Sequence, residues 1–315
     1  MELKKIGRTA IEMPPIAFGG NVFGWTADKK MTFKLLDELL DYGFNYIDTA
    51  NVYSRWVDGN EGGESEALIG EWMKARGNRD KMIIATKVGM DMGQGHADLS
   101  ANHITTQLDN SLKRLQTDYV DVYFSHQNDD NTPINETLAA YNKLKNEGKL
   151  RCIGASNFPL ADLRESLEIS ETNNLPRYEV YQPEYNLMRR DNFEGQVRKF
   201  CMEHDLAVTS YSTLASGFLT GKYSVKEDSK GAARAHHVEK FFNDKGQRVL
   251  DSLKEIAEQH NTSQAAITLA WTIAQPGITA PIASATKPEQ LKSFKEAVHL
   301  RLSDKQLEQL DNASR

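Results

Sequence analysis

The stretch Met82-Ile83-Ile84-Ala85-Thr86-Lys87-Val88-Gly89, followed by the segment 100–115, decides the fold. The first part is a short apolar run rich in β-branched residues, closed by a glycine, which predicts a buried strand. The second part places Ile104, Leu108, Ser111, Leu112 and Leu115 at spacings of three and four, which predicts an amphipathic helix. Strand and helix are joined by a polar connection, so the pair reads as one βα unit.

The same unit recurs on both sides. Upstream, the run 16–19 precedes a helical pattern over 28–42, with Leu35, Leu36, Leu39 and Leu40 on one face. The run 44–47 precedes 64–76. Downstream, 120–125 precedes 134–147, 150–154 precedes 160–171, and 178–182 precedes 192–204. The run 206–211 leads through a long connection to helices near 244–259 and 263–275, and 278–282 leads to 288–297. Residues 303–313 open with the Ser-x-x-Gln spacing of a capping box and predict one more helix. Residues 3–13 read as a hairpin around Gly7-Arg8-Thr9. Eight consecutive βα units predict an α/β chain folded as a (β/α)8 TIM barrel, one domain over 1–315, with an N-terminal β-hairpin and extra C-terminal helices. A doubly wound open sheet is the competing architecture. The count of units and the absence of any break in composition favour the barrel. The long connections at 54–63 and 214–240 are where lids and pocket walls are expected.

Composition narrows the function classes. The 315 residues are 39% hydrophobic and 26% charged, with a formal net charge of −6. There is no basic run of the kind that binds nucleic acid, and the acidity argues against polyanionic partners. The first residues, Met1-Glu-Leu-Lys-Lys-Ile-Gly7, lack the apolar core of a signal peptide, and no stretch is apolar enough to span a membrane. The two cysteines, Cys152 and Cys201, read as reduced core thiols. These features predict a cytoplasmic protein with a small-molecule substrate and neither nucleic-acid nor membrane partner. Oligomeric state is not legible.

In a barrel of this kind the site lies at the C-terminal ends of the strands. Asp48, Lys87 and His126 stand at the ends of three successive runs, and Tyr53 follows in the loop after Asp48. A tyrosine near its ordinary pKa of ~10 gives up a proton reluctantly at neutral pH. A lysine cation beside it stabilises the phenolate. An aspartate can hold that lysine, and a neutral histidine can orient a carbonyl oxygen. The set suits protonation of a carbonyl oxygen while another group delivers a hydride. Singly, each has an ordinary alternative: a turn cap, a rim aromatic, a solvated lysine, a satisfied core histidine. Together, at three successive strand ends, the ordinary readings lose ground. No Gly-x-Gly-x-x-Gly is present. Gly217-Phe-Leu-Thr-Gly-Lys222 has one residue too few between its glycines and no Ser/Thr after the lysine, so it fails as a phosphate loop of the Walker type. His236-His237 has no carboxylate at ligand spacing, and no metal site is expected.

Seven segments resemble the aldo-keto reductase superfamily. They are Asp48-Thr-Ala-Asn-Val-Tyr53, Ala85-Thr-Lys87-Val-Gly89, His126, Gly154-Ala-Ser-Asn157-Phe158, Tyr181-Gln182-Pro-Glu-Tyr-Asn186, Tyr211-Ser-Thr-Leu-Ala-Ser-Gly-Phe-Leu-Thr-Gly-Lys222 and Ile282-Ala-Ser284-Ala-Thr286-Lys287-Pro-Glu-Gln290-Leu291. They occur in order from hairpin to C-terminal helix. The resemblance implies a barrel oxidoreductase that uses a nicotinamide cofactor, NADP(H). It implies Tyr53 as general acid, Lys87 and Asp48 as the pair that lowers its pKa, and His126 as the carbonyl-orienting group. It implies Ser156, Asn157 and Gln182 on the nicotinamide carboxamide, and Tyr211 stacked on the nicotinamide ring. It implies Ser212, Leu214, Ser216, Gly217 and Lys222 around the pyrophosphate. Ser284, Thr286, Lys287 and Gln290 follow strand 8 and open a helix. Thr286 and Glu289 have capping-box spacing and Pro288 suits a first turn, so this end is expected to favour the 2′-phosphate of NADPH. Trp25 and Trp56, which follow strands 1 and 2, are expected to line the substrate pocket.

Three departures stand out. The loop 54–63 is long and carries Trp56; Phe294 replaces a polar group frequent near the adenine; and Lys287 stands where an arginine is frequent, keeping charge but losing the guanidinium fork. A different class of function also fits the resemblance: a nicotinamide-binding regulatory subunit like the channel-associated β-subunits.

Overall fold

The computed structural model describes residues 1–223, 225, 228, 230, 231 and 235–315. Eight parallel strands close into a barrel in the order β10-β3-β4-β5-β6-β7-β8-β9. They are β3 (Ala17–Gly19), β4 (Tyr46–Asp48), β5 (Ile83–Val88), β6 (Val120–Ser125), β7 (Leu150–Ser156), β8 (Tyr178–Gln182), β9 (Ala207–Ser210) and β10 (Ala280–Ala283). Around them run α1 (Lys29–Asp41), α2 (Glu64–Arg76), α3 (Ala101–Leu115), α4 (Ile134–Asn146), α5 (Leu160–Asn173), α6 (Gln196–Glu203), α7 (Ala235–Val238), α8 (Asp244–Gln259), α9 (Gln264–Ala274), α10 (Lys292–Ala297) and α11 (Asp304–Ala313). Closure comes from β10 pairing with β3, Ile282 opposite Ala17 and Ala283 opposite Phe18. The expected (β/α)8 TIM barrel is therefore the observed one, and the open sheet is excluded.

The N-terminal hairpin is also as expected. β1 (Lys4–Lys5) and β2 (Glu12–Met13) pair antiparallel across a turn in which Gly7 has φ 51°. Ile6, Ile11 and Met13 from this hairpin join Ala17, Tyr46, Ile83, Ala85, Val122, Phe124, Cys152, Val180, Ala207, Ala280 and Ile282 in one cluster. That cluster is the barrel interior, plugged from below. The larger core lies between strands and helices: Leu35, Leu36 and Leu39 of α1, and Ile104, Leu108, Leu112 and Leu115 of α3, are all buried there.

Strand periodicity explains how a lysine reaches the middle of this core. On β5, Ile83 and Ala85 face inward, and Lys87 two residues on does the same at the upper end. Phe124 of β6 floors it, with Lys87 Nζ 5.9 Å from the ring centroid. Phe124 in turn needs Gly154, because a Cβ there would overlap the Phe124 ring.

Two expected helices are corrected. The segment 192–204 is helical only over Gln196–Glu203, because Gly195, at φ 79° and ψ −124°, interrupts the backbone just before it. The segment 288–297 begins as a 3₁₀ turn, Pro288–Leu291, before α10. Its cap is not the expected Thr286–Glu289 pair. Gln290 Oε1 instead accepts the backbone N–H groups of Thr286 at 2.7 Å and Lys287 at 3.2 Å. The tail is capped as expected, with Ser303 and Gln306 bonded reciprocally. Both cysteines are free and buried. No helix among the described residues is long and apolar enough to cross a membrane, and none of their His/Cys/Asp/Glu groups clusters in a metal-binding arrangement.

Candidate active site

At the C-terminal end of the barrel, Asp48 ends β4, Lys87 is the penultimate residue of β5, and His126 follows β6. Lys87 is fully buried, and its Nζ donates to Asp48 Oδ2 at 2.6 Å, to the Thr49 carbonyl at 2.8 Å and to Tyr53 Oη at 3.0 Å. An ammonium has three protons, so all are used. Tyr53 Oη also lies 3.3 Å from Asp48 Oδ2. The His126 ring stands 6.0 Å from the Tyr53 ring at 70°. The structure thus gathers the four residues singled out in the sequence.

Burial pulls the Lys87 ammonium below its ordinary value, and the Asp48 carboxylate opposes that pull. Burial, with the Lys87 charge as second cause, holds His126 well below the ordinary histidine value. His126 is therefore a neutral imidazole at physiological pH, and its Nδ1 is buried with no hydrogen-bond partner among the described residues. A neutral imidazole on the wall of a cavity is suited to meet a polar atom of a ligand.

A cavity of about 1440 Å³ opens from this point. Its inner wall includes Asp48, Tyr53, His126, Ser156, Asn157, Gln182 and Tyr211. Gln182 Nε2 donates to Asp48 Oδ1 at 2.9 Å, and Ser156 Oγ donates to the Gln182 carbonyl at 2.9 Å. Asn157, at φ 57°, donates through Nδ2 to the His126 carbonyl and accepts from Tyr211 Oη at 2.7 Å. Tyr211 is pushed up to about 12, chiefly by burial, so it is a neutral donor and a flat face.

The cavity continues over the loop after β9, lined by Ser212, Leu214, Ser216, Gly217 and Lys222. Ser212, Ala215, Ser216 and Gly217 all have positive φ, at 56°, 47°, 58° and 95°. Non-glycine residues in that region are strained by about 1–3 kcal/mol each, and such strain concentrates at ligand sites. The Ala215 and Gly217 N–H groups donate to the Ser212 and Leu214 carbonyls at 2.7 and 2.8 Å and hold the turn, and Lys222 brings a charge that suits an anion. The far wall is Ser284, Thr286, Lys287 and Gln290, with Lys287 exposed. Ser284 Oγ is already committed, lying 2.7 Å from the Gly19 carbonyl and 2.8 Å from Asn21 Oδ1. Its hydroxyl ties two barrel strands together. Phe294 is core: it is 1% exposed and packs against Phe18 and Phe44.

Trp25 and Trp56 belong to the rim, not to this cavity's wall. The Trp56 ring lies 6.1 Å from that of Tyr53, and Trp25 lies 5.6 Å from Trp56. Sequence reading missed the wall beside α8 and α9, where Lys254, Glu258, Asn261 and Gln264 line the cavity. Nothing in their local pattern distinguishes them from ordinary helix-end polar residues. Met90 and Thr26, which also line the cavity, were missed as well.

The family model described as the aldo/keto reductase family matches residues 15–315. The chain belongs to that family. With membership goes an oxidoreductase role on small-molecule carbonyl compounds. It is 33% identical to an uncharacterized oxidoreductase, YrpG, of Bacillus subtilis, over 99% of this chain and 95% of that protein. It is 32% identical to an aryl-alcohol dehydrogenase of Pestalotiopsis microspora, over 96% of this chain and 79% of the relative. It is 33% identical to a probable voltage-gated potassium channel subunit beta of Oryza sativa, over 92% and 89%. The matched region begins after the hairpin.

Proposed function

We propose that this protein is an NADPH-dependent carbonyl reductase in which Tyr53 donates the proton. The carrying observation is the Lys87 ammonium held by Asp48 at 2.6 Å and directed at Tyr53 Oη at 3.0 Å. A cation so placed stabilises the phenolate left behind when Tyr53 gives its proton to a carbonyl oxygen. His126, neutral, donates its one ring N–H to the same oxygen and fixes its direction. Asp48 keeps Lys87 charged in a buried position, and Gln182 holds Asp48 from the other side.

The residues present fit a nicotinamide dinucleotide. Asn157 and Gln182 carry amides suited to a carboxamide, the Tyr211 ring offers a flat face, and the positive-φ loop with Lys222 offers a cradle for pyrophosphate. When bound, that cofactor supplies the hydride. Lys287, exposed at the far wall, is proposed to pair with a 2′-phosphate and so to favour NADPH over NADH. The bonds from Thr286 and Lys287 backbone N–H to Gln290 leave that role to the lysine charge, not to a free helix end.

A second reading, a nicotinamide-binding regulatory subunit, draws on the similarity to the rice channel subunit beta. One experiment separates the two. NADPH consumption is followed across aldehydes, dicarbonyls, ketones and sugars, beside NADPH binding by fluorescence titration. Turnover that Tyr53→Phe abolishes supports the reductase. Tight binding with no turnover of any carbonyl supports the regulatory subunit and overturns the first reading.

A further inference from the structure

Four carboxylates are buried among the described residues: Asp48, Glu66, Asp121 and Asp129. Each, taken out of water, needs an answering charge or donor. Asp48 meets Lys87 in the site. Asp121, near the start of β6, is bound by Arg79 and Arg151 at 2.8 Å each. Asp129 accepts from the Leu99 and Asn131 N–H groups and from Thr132 Oγ1, and shapes a turn after β6. Glu66 is placed differently, fully buried behind the reactive end of β5.

Glu66 stands in the first turn of α2, where the helix dipole favours a carboxylate. The Thr86 hydroxyl donates to its Oε1, and Arg114 Nε of α3 donates to its Oε2 at 2.7 Å. Thr86 precedes Lys87 on β5, and neighbours on a strand point to opposite faces. The ammonium therefore lies inside the barrel and the carboxylate outside it, with one strand between them. Ser65 does the same for β4: its Oγ lies 2.8 Å from Thr49 Oγ1, and Thr49 follows Asp48. Arg114 reaches the tyrosine side. A Cβ at Gly63 would overlap the Arg114 side chain, and the Gly63 N–H donates to the Tyr53 carbonyl at 3.3 Å. The ion pair is thus fixed against both the strand of Lys87 and the loop of Tyr53.

Resting on the reductase reading above, we infer that Glu66 is a positioning residue for the Tyr53–Lys87 pair: its charge, fixed behind β5 by Thr86 and Arg114, helps to keep that pair protonated. Lys87 faces Asp48 from β4, Tyr53 from the following loop and His126 after β6. Burial pulls the Lys87 ammonium down most strongly; Asp48 opposes this most, and Glu66 next. Glu66 itself faces Arg114 of α3 and Tyr123 of β6, which burial keeps neutral, while Asp109 of α3 is taken by Lys149. A negative charge at this place makes a proton harder to remove from the pair.

The test is the alkaline limb of kcat/KM for NADPH-dependent reduction of an aldehyde that carries no titratable group. Glu66→Gln removes the charge and keeps the shape, its amide N–H able to reach Thr86 Oγ1 and its oxygen Arg114. The limb is expected to move to lower pH by about half a unit or more. Thr86→Val removes one bond and keeps the charge, and is expected to leave the limb within about 0.2 of a unit. A limb unmoved in Glu66→Gln, or moved equally by Thr86→Val, would overturn the inference and leave Glu66 a structural partner of Arg114. Should Glu66→Gln not fold, Arg114→Gln reads the same charge with opposite sign. The cation is gone, Glu66 stays ionised at alkaline pH, and the limb is expected to rise; no rise overturns the assignment. If the wild type reduces no carbonyl, the reductase reading fails by itself. The Tyr53 phenolate then decides, followed by ultraviolet absorbance as the difference between each protein and its Tyr53→Phe counterpart. A transition at lower pH in Glu66→Gln upholds the role of Glu66, and an unchanged transition removes it.

Discussion

The two ends of the barrel are built from the same strands and obey opposite rules. At the lower end Ile6, Ile11 and Met13 of the hairpin close over Ala17, Ile83, Val122, Val180 and Ala207, an apolar plug. At the upper end the same strands finish in Asp48, Lys87 and Gln182, with His126 just beyond β6, buried polar groups bonded largely to one another. The lower end stabilises through area removed from water. The upper end spends burial on charge, which contributes little to stability but orients protons. The difference teaches where mutation should separate activity from folding.

The largest expected effect is on the upper end alone. Tyr53→Phe should cut carbonyl reduction by ~10²–10⁴-fold while NADPH affinity and melting temperature stay close to wild type. Retained turnover would remove Tyr53 from its proposed role and blunt the contrast. The mirror test is Met13→Ala. Met13 is fully buried, so truncation should cost about 2–5 kcal/mol of unfolding free energy by denaturant titration, with kcat of the folded fraction unchanged. A large fall in kcat with little loss of stability would mean the two ends are coupled.

Lys287 sharpens the comparison within the upper end. Lys287→Ala or Lys287→Glu is expected to weaken NADPH alone, by about ten- to a hundredfold, bringing it toward NADH. Equal losses for both cofactors, measured by fluorescence titration, would mean the segment does not read a phosphate.

The smallest effect is a pH dependence. His126 is held well below its ordinary 6.5 in the folded protein, by burial first and by Lys87 second. The unfolded chain therefore binds a proton that the folded one refuses. The sign follows: stability is fully present above 6.5 and is lost as pH falls below it, toward the folded value. Between about pH 7 and about pH 5, the melting temperature of His126→Gln should fall less steeply than that of wild type. Identical slopes would show that His126 charges freely in the fold.

How much was legible in the sequence follows from the same physics. Apolar periodicity reports burial, so the βα units and the hairpin could be read from runs such as 82–89 and 100–115. Residue type and position at strand ends marked Asp48, Lys87 and His126, because charge after an apolar run is costly unless used. Side-chain commitments were not legible. That Ser284 Oγ is bound to the Gly19 carbonyl depends on barrel closure, and that Gln290, not Glu289, caps the start of the Pro288–Leu291 turn depends on backbone angles around Lys287. The cavity wall at Lys254 and Gln264 was invisible for the same reason: two helix ends become neighbours of the site only in three dimensions.

The seam between β3 and β10 joins residues far apart in the chain, and the Ser284–Gly19 bond across it spans 265 positions. A chain leaving the ribosome therefore has Asp48, Lys87 and His126 synthesised long before the strand that closes the sheet. Until β10 emerges, β3 and β9 are open edges, able to pair with any passing strand. Between the synthesis of β9 and that of β10 the barrel is thus open, and a stop or pause between residues 210 and 280 leaves a product with Asp48, Lys87 and His126 present and its sheet unsealed.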